Sequence, residues 1–192
     1  MNTVFNIFAL ALLSLLAACT SVVTENPIGI SNGTVLDMRI FGAWKVMTPD
    51  QNSKDEAYVF VLPHENAPIE GMLVVFSDRD WWTSDLVLGK AGAHEMLNVK
   101  VLLKNGRPIE AKDMPSGYFP LRYVVNADGS IQLYRWTEET VKNAIERGAI
   151  AGTIVSGSDI RITADPKALD GFFATSAPSM FAEPFGTLVP LK

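Results

Sequence analysis

The sequence predicts an α+β fold that is mostly β: an antiparallel meander forming a small barrel or sandwich, with two C-terminal helices. Three observations carry this. Short β-branched and aromatic runs recur from about residue 36 onward. Two of the breaks between them are Asn105-Gly106 and Asp128-Gly129, dipeptides that favour tight hairpins because such turns need positive φ. Beyond Trp136 the pattern changes to two capped helical segments with a strand between them.

The elements follow in order. Glu56–Leu62 reads as a strand ended by Pro63, with Tyr58, Phe60 and Leu62 on one face and Val59 and Val61 on the other. Both faces are apolar, so this strand is either covered on both sides or part of a strongly curved sheet. Gly71–Phe76 and Trp82–Leu88 read as the next two strands, separated by the polar stretch Ser77–Asp80. Met96–Leu103 reaches Asn105-Gly106, and Arg107–Ala111 is its expected return strand. Phe119–Asn126 and Ser130–Trp136 form a second hairpin about Asp128-Gly129, with the same turn chemistry expected.

Thr137 is placed to cap a helix, with Glu138 and Glu139 in its first turn where the helix dipole favours negative charge, and Gly148 ends it. Val141, Ala144 and Ile145 make its apolar face. Asp159–Thr163 alternates as a half-buried strand. Asp165-Pro166 is a helix start, with Leu169, Phe172 and Phe173 directed inward. Thr187–Leu191 is expected to return as a closing edge strand, where Pro190 is tolerated.

The N-terminus carries an address. Val4–Leu16 is an apolar run interrupted only by Asn6 and Ser14, and Ala17 and Ala18 supply small residues before Cys19, the only cysteine. This resembles a secretory signal whose positive n-region has been reduced to the α-amino group. It is too short for a comfortable membrane-spanning helix, which takes about 20 apolar residues. Leu16-Ala17-Ala18-Cys19 resembles the lipobox of bacterial lipoproteins. That resemblance implies cleavage before Cys19, acylation of its thiol by a diacylglycerol and a further fatty acyl chain such as palmitate. It also implies a place on the periplasmic face of the outer membrane, since Thr20 stands where an inner-membrane retention signal would put aspartate. Two or more chains hold a protein firmly on a bilayer. An unlipidated thiol in an oxidising compartment would need another explanation.

The expected organisation is a signal peptide over 1–18, a lipidated cysteine and flexible tether over 19–34, and one β-rich domain over 35–192. The tether reading rests on frequent Thr, Ser, Asn, Gly and Pro without periodicity. About 15 residues reach at most roughly 50 Å when extended. The net charge of −5 lies wholly after residue 18. It argues against nucleic acid, which requires a basic surface, and against electrostatic attraction to anionic lipid.

The C-terminal half carries a second resemblance. Leu133-Tyr134-Arg135-Trp136, Ile160-Arg161-Ile162-Thr163-Ala164, Ala168-Leu169-Asp170-Gly171-Phe172 and Phe181-Ala182-Glu183-Pro184 are similar to segments of a group of small uncharacterised bacterial lipoproteins. Gly42-Ala43-Trp44 matches the Gly-x-Trp stretch near their start. Gly-x-Trp also resembles lipocalins, where the tryptophan plugs the closed end of a barrel, so a lipocalin-like body is the form expected. Neither resemblance supplies a catalytic residue.

Chemistry-bearing residues are sparse. His64 and His94 are each followed by glutamate, but three or four ligands at metal spacing are lacking, so no metal is expected. Ser77-Asp78 and Ser84-Asp85 place serines beside acids, and Val155–Asp159 contains two serines, yet Gly-x-Ser-x-Gly is missing. Asp78, Asp80 and Asp85 lie near Trp81 and Trp82, a pairing found in sugar sites and equally in polar loops with anchoring aromatics. Gly89-Lys90-Ala91-Gly92 lacks phosphate-loop spacing. No cofactor is expected.

The aromatic set Trp44, Trp81, Trp82, Tyr118, Phe119 and Trp136 is the candidate lining of an apolar cavity; Trp44, Trp81, Trp82, Tyr118 and Trp136 are the expected ligand-binding residues. The functional expectation is a non-enzymatic, lipid-anchored envelope protein that binds a small apolar ligand. The alternatives are an accessory partner of an envelope complex and a periplasmic hydrolase. A cavity of a few hundred Å³ lined by tryptophans would favour the first. A closed barrel with an exposed apolar patch would favour the second.

Overall fold

A computed structural model of the chain describes residues 22–31, 37–48, 56–65, 67–77, 80–110, 114–155 and 159–191. The apolar leader, Cys19, Asp78 and the serines at 156 and 158 lie outside the described residues. Among the described residues, no helix is long and apolar enough to cross a membrane.

In chain order the elements are β1 (Val22–Thr24), a 3-10 turn (Met38–Ile40), β2 (Gly42–Met47), β3 (Ala57–His64), β4 (Ala67–Phe76), β5 (Trp81–Ala91), β6 (His94–Lys104) and β7 (Arg107–Pro108). They continue with β8 (Phe119–Val125), β9 (Ile131–Arg135), α1 (Glu138–Glu146), β10 (Gly152–Val155), β11 (Asp159–Ile162), α2 (Pro166–Met180) and β12 (Glu183–Pro190).

Eight strands close an antiparallel barrel in the order β2, β3, β4, β5, β6, β8, β9, β12, with β12 bonded back to β2. The protein is therefore mostly β, with a barrel rather than a sandwich and two C-terminal helices. Closure explains β3. Val59 and Val61 point into the barrel and are buried, while Tyr58, Phe60 and Leu62 point outward. Of the two expectations for a strand apolar on both faces, curvature is the one realised.

The turns behave according to their chemistry, with one difference. Asn105 and Gly106 both have positive φ, 52° and 75°, as a two-residue hairpin demands. At the second hairpin only Gly129 does, with φ 83°. The Asn126 N–H donates to the Ser130 carbonyl at 2.8 Å, so three residues lie in the loop and a single left-handed glycine suffices. The Asp128 carboxylate accepts from the Ser130 N–H and hydroxyl at 2.9 and 2.6 Å.

Three strand expectations are corrected. β3 runs through Pro63 because the register shifts between Pro63 and His64, and a bulge accommodates a residue that cannot donate. The return strand after Asn105-Gly106 is only Arg107–Pro108, opposite Lys104 and Leu103; the Ile109 N–H still donates to the Leu102 carbonyl at 3.1 Å, and β8 takes up the ladder along β6 further on, from Val99 to Glu95. β12 is no edge: it is paired with β9 on one side and β2 on the other, and Pro190 falls at its last position opposite Trp44.

Between β9 and β12 the chain leaves the barrel and builds a second core against its outer wall. The Thr137 hydroxyl oxygen accepts from the Thr140 N–H at 3.2 Å to cap α1, which buries Val141 and Ala144. The Asp165 carboxylate accepts from the Ala168 N–H at 2.9 Å to cap α2, with Pro166 in the first turn. α2 buries Leu169 and Phe173, while Phe172 packs edge-on to Phe173 at 4.9 Å. These side chains meet Ala91 and Met96 from the outer faces of β5 and β6, together with Trp136, Ile160, Ile162 and Phe181.

The flexible tether expected over 19–34 is overturned where it is described. β1 pairs in parallel with β11, in a three-stranded sheet with β10, and Val22, Val23 and Ile28 are buried. Asn98, fully buried on β6, holds Ile28 at both backbone groups: its Oδ1 accepts from the Ile28 N–H at 2.8 Å, and its Nδ2 donates to the Ile28 carbonyl at 2.9 Å. Nδ2 also donates to the Val87 carbonyl at 3.1 Å. The buried Asp170 carboxylate accepts from the Gly29 N–H and from the Ser31 N–H and hydroxyl. A segment without periodicity is thus packed in two ways: Val22, Val23 and Ile28 bury their side chains, and Asn98 and Asp170 hold its backbone.

Gly89 makes this crossing possible. A Cβ there would lie 2.0 Å from the Ile28 carbonyl oxygen, whereas a Cβ at Gly171 on α2 meets nothing within 4 Å. Gly89→Ala is expected to cost at least about 2 kcal/mol through overpacking. Gly171→Ala is expected to be neutral or to stabilise by roughly 0.5–1 kcal/mol through helix propensity. Urea unfolding of the two variants beside the parent measures both effects.

Candidate functional site: the barrel interior and its outer wall

The barrel interior encloses a cavity of about 70 Å³, lined by apolar side chains that include Val61, Leu86, Leu97, Leu121, Leu188 and Trp82. Ligand pockets commonly hold about 300–1,000 Å³. Dry apolar voids remain empty or take only very small apolar guests. A second hollow of about 170 Å³ lies at the rim, between Lys100 and Val101 on β6 and the Ile109 to Gly117 crossover.

One mouth is closed by the 3-10 turn. Ile40 is fully buried, and the inward Trp44 donates its indole N–H to the Ile40 carbonyl at 3.0 Å. Asp37 caps the turn, accepting from the Arg39 N–H at 3.1 Å and from Arg39 Nε and Nη2 at 2.8 and 2.9 Å. The Tyr123 hydroxyl, on an otherwise buried ring, donates to Asp37 Oδ2 at 3.1 Å. Burial alone would raise the Asp37 carboxyl, but the hydrogen bonds from Arg39 and Tyr123 outweigh it and hold the group below its ordinary range. Burial, with the charge of Asp37 beside it, pushes the Tyr123 hydroxyl well up.

The five aromatics expected to line one cavity stand in separate places. Trp82 faces the cavity, and the Lys104 ammonium sits 5.4 Å from its ring centre. Trp44 plugs the mouth already described. Tyr118 is half-buried beside β1, bonded to Thr24 through both backbone groups at 2.9 Å, with Lys100 5.7 Å from its ring centre. Burial raises its hydroxyl, and the charges of Asp85 and Glu70 add to this. Trp136 belongs to the second core, stacked on Phe181 at 5.3 Å. Trp81 is on the outer surface, 37% exposed. Phe119 is buried at the start of β8.

The polar candidates are also apart. His64 is exposed at the end of β3, and His94 opens β6. Among the described residues no three His, Cys, Asp or Glu side chains gather as a metal site would require. Ser84 is buried and lines the cavity, and its neighbour Asp85 points to the opposite face of the strand. Asp80 accepts from Asn105 Nδ2 at 2.6 Å and pairs with Lys104 at 3.1 Å. Those two partners hold its carboxyl below the ordinary range. Gly89 seats the crossing chain, and Gly92 forms the tight β5–β6 turn with φ 61°.

What the fold does bring together is an aromatic and aliphatic stripe on the outside of β3, β4 and β5. Register places Leu62 opposite Met72, Phe60 opposite Val74, Tyr58 opposite Phe76, and Phe76 opposite Trp81. Phe60 meets Phe76 edge-to-face at 5.7 Å, and Phe76 stacks on Trp81 at 6.4 Å. Leu62, Met72, Phe76 and Trp81 are 48%, 44%, 42% and 37% exposed. Charged groups border the stripe: Lys45 pairs with Glu56, which also accepts from the Tyr58 hydroxyl, and Asp80 pairs with Lys104. An apolar centre with a polar rim is the anatomy of a protein interface. The sequence contained one signal for this stripe, the second apolar face of β3. It did not show which face the described residues would leave uncovered.

No protein-family model, no curated protein and no solved structure matches the chain.

Asp37 generates a pH prediction. A carboxyl held below its unfolded-state value adds stability above that value, about 3.9, and loses it as pH falls through the folded value. Asp37→Asn is expected to cost about 1–2 kcal/mol at pH 7, and the gap between parent and variant should close as the pH is lowered through the acid side of the carboxylate range. Urea unfolding across that range checks both the size and the sign.

Proposed function

We propose that this protein is a lipid-anchored accessory protein of the bacterial envelope, held through Cys19 to the periplasmic face of the outer membrane, which works by docking a partner protein on the outer wall of β3, β4 and β5. The observation that carries the reading is the pairing of a nearly filled barrel with an aromatic wall that none of the described residues covers. The interior leaves about 70 Å³, while Phe76 and Trp81 stack in the open. A surface of this kind fits a partner that offers apolar side chains to the stripe and polar groups to its charged borders. The proposed role is non-enzymatic. The outward Met72 and Phe76 support it further: flexible and aromatic side chains of this sort are enriched where proteins meet.

The carrier reading, with a small apolar ligand inside the barrel, rests on the apolar cavity lining. It would require the interior to widen several-fold to reach ordinary pocket size.

The test places a photo-crosslinking residue at Leu62 or Met72 in the full-length chain, in its own host envelope, with Val124 on β8 as a control. The expected result is a discrete protein adduct from the two wall positions, absent from Val124 and lost when Phe76→Asp is added. Folding of Phe76→Asp is checked by circular dichroism; a cost of about 1–3 kcal/mol is expected, because two aromatic contacts and a strand-favouring residue are lost. Equal crosslinking at all three positions, or none, overturns the docking reading. A small apolar mass retained in native mass spectrometry and lost on denaturation replaces it with the carrier reading.

A further inference from the structure

We infer that the barrel is fixed in orientation on the bilayer, with the β1–β11–β10 sheet against the lipid headgroups and the aromatic wall of β3 and β4 turned away from the membrane. This rests on the proposed acylation of Cys19. The new element is the length of chain between anchor and fold. The first packed residue is Val22, 5% exposed and paired with Ile160. Only Thr20 and Ser21 separate it from Cys19. Three residue steps reach at most about 11 Å, so the acylated sulfur and the edge of the folded body lie within the thickness of a headgroup layer and its hydration.

Where the chain enters the fold then determines what faces the lipid. β1 is bonded to Tyr118 at the entry to β8, and the following residues cross the outside of β6 and β5 at Asn98 and Gly89. In the barrel ring β8 stands four strands from β3 in either direction, so the two lie across the barrel from each other. An anchor beside β8 places β3 on the far side. Ile154, 42% exposed on β10, pairs with Ile160, which pairs with Val22. Two strand spacings put it about 10 Å from the anchor strand, at the exposed edge of the sheet and close to the anchor. The wall residues Leu62 and Met72 face the periplasm, where a protein partner is accessible.

The test uses the full chain, extracted from the envelope and reconstituted in vesicles of phosphatidylethanolamine and phosphatidylglycerol. Acylation of Cys19 leaves an introduced cysteine as the sole free thiol, so Ile154→Cys and Leu62→Cys can each carry one environment-sensitive fluorophore. A headgroup-spin-labelled lipid serves as quencher, and intact mass reports acylation. Several-fold stronger quenching at position 154 than at 62 is expected. Inserting about twelve Gly/Ser residues between Thr20 and Ser21 should abolish that difference by freeing the body. Equal quenching at both positions of an acylated protein, or stronger quenching at 62, overturns the orientation and leaves the anchor standing. A mass without acyl chains removes the anchor and the orientation together.

Discussion

The ladder between β12 and β2 is the constraint on which the rest of the structure depends. It joins the last strand of the chain to the first strand of the barrel, from Thr187 opposite Met47 to Pro190 opposite Trp44. Without it the eight strands would form an open sheet with β2 and β12 as its edges, leaving inward side chains such as Val46 and Leu188 exposed to water. Closure removes both edges and lets one layer of side chains fill the interior. It also requires the excursion through α1, β10, β11 and α2 to return to the barrel beside β9. The second core secures that return, with Phe181 stacked on Trp136 just ahead of β12.

The N-terminal segment ties these two parts together. Asn98 grips it from the barrel wall and Asp170 from α2, and in both cases the partners are mainly backbone groups. Buried polar side chains of this sort are stable only when satisfied, and here Asp170 is satisfied by this short piece of chain and Asn98 by the same piece together with the Val87 carbonyl. The strap therefore depends on the barrel and on the insert at once. This dependence gives the proposed lipid anchor its mechanical meaning, because a cysteine three positions before a packed strand cannot act as a loose leash.

The functional reading turns on which surfaces the fold uses up. The outer faces of β5 and β6 are covered by the second core near Ala91 and Met96. The interior is filled to a small residue of space. The outer faces of β3 and β4, and the start of β5, carry apolar side chains that nothing in the chain covers among the described residues. Of the aromatics expected to line one cavity, Trp82 does face the interior, while Trp44 is a plug, Trp136 belongs to the second core and Trp81 lies on the surface. Their shared chemistry concealed four different tasks.

Local chemistry alone determined a good deal. Asn105-Gly106 fixed its turn because two adjacent residues had to take positive φ, and Asp165-Pro166 and Thr137 fixed helix starts because their side chains answer nearby backbone donors. Alternation in β3 assigned Val59 and Val61 to one face and Phe60 to the other. All of these act within a few residues. Tertiary structure alone decided the rest: that the meander closes, that β12 is central rather than an edge, that the aperiodic residues from Val22 to Ser31 are packed, and that no described residue covers the apolar face of β3 and β4. Each of these depends on a partner far away in sequence. Ile28 is 70 residues from Asn98, and Ser31 is 139 from Asp170. No spacing rule reaches across such a distance, and a side chain that recognises another segment's backbone leaves no pattern in the residues it recognises.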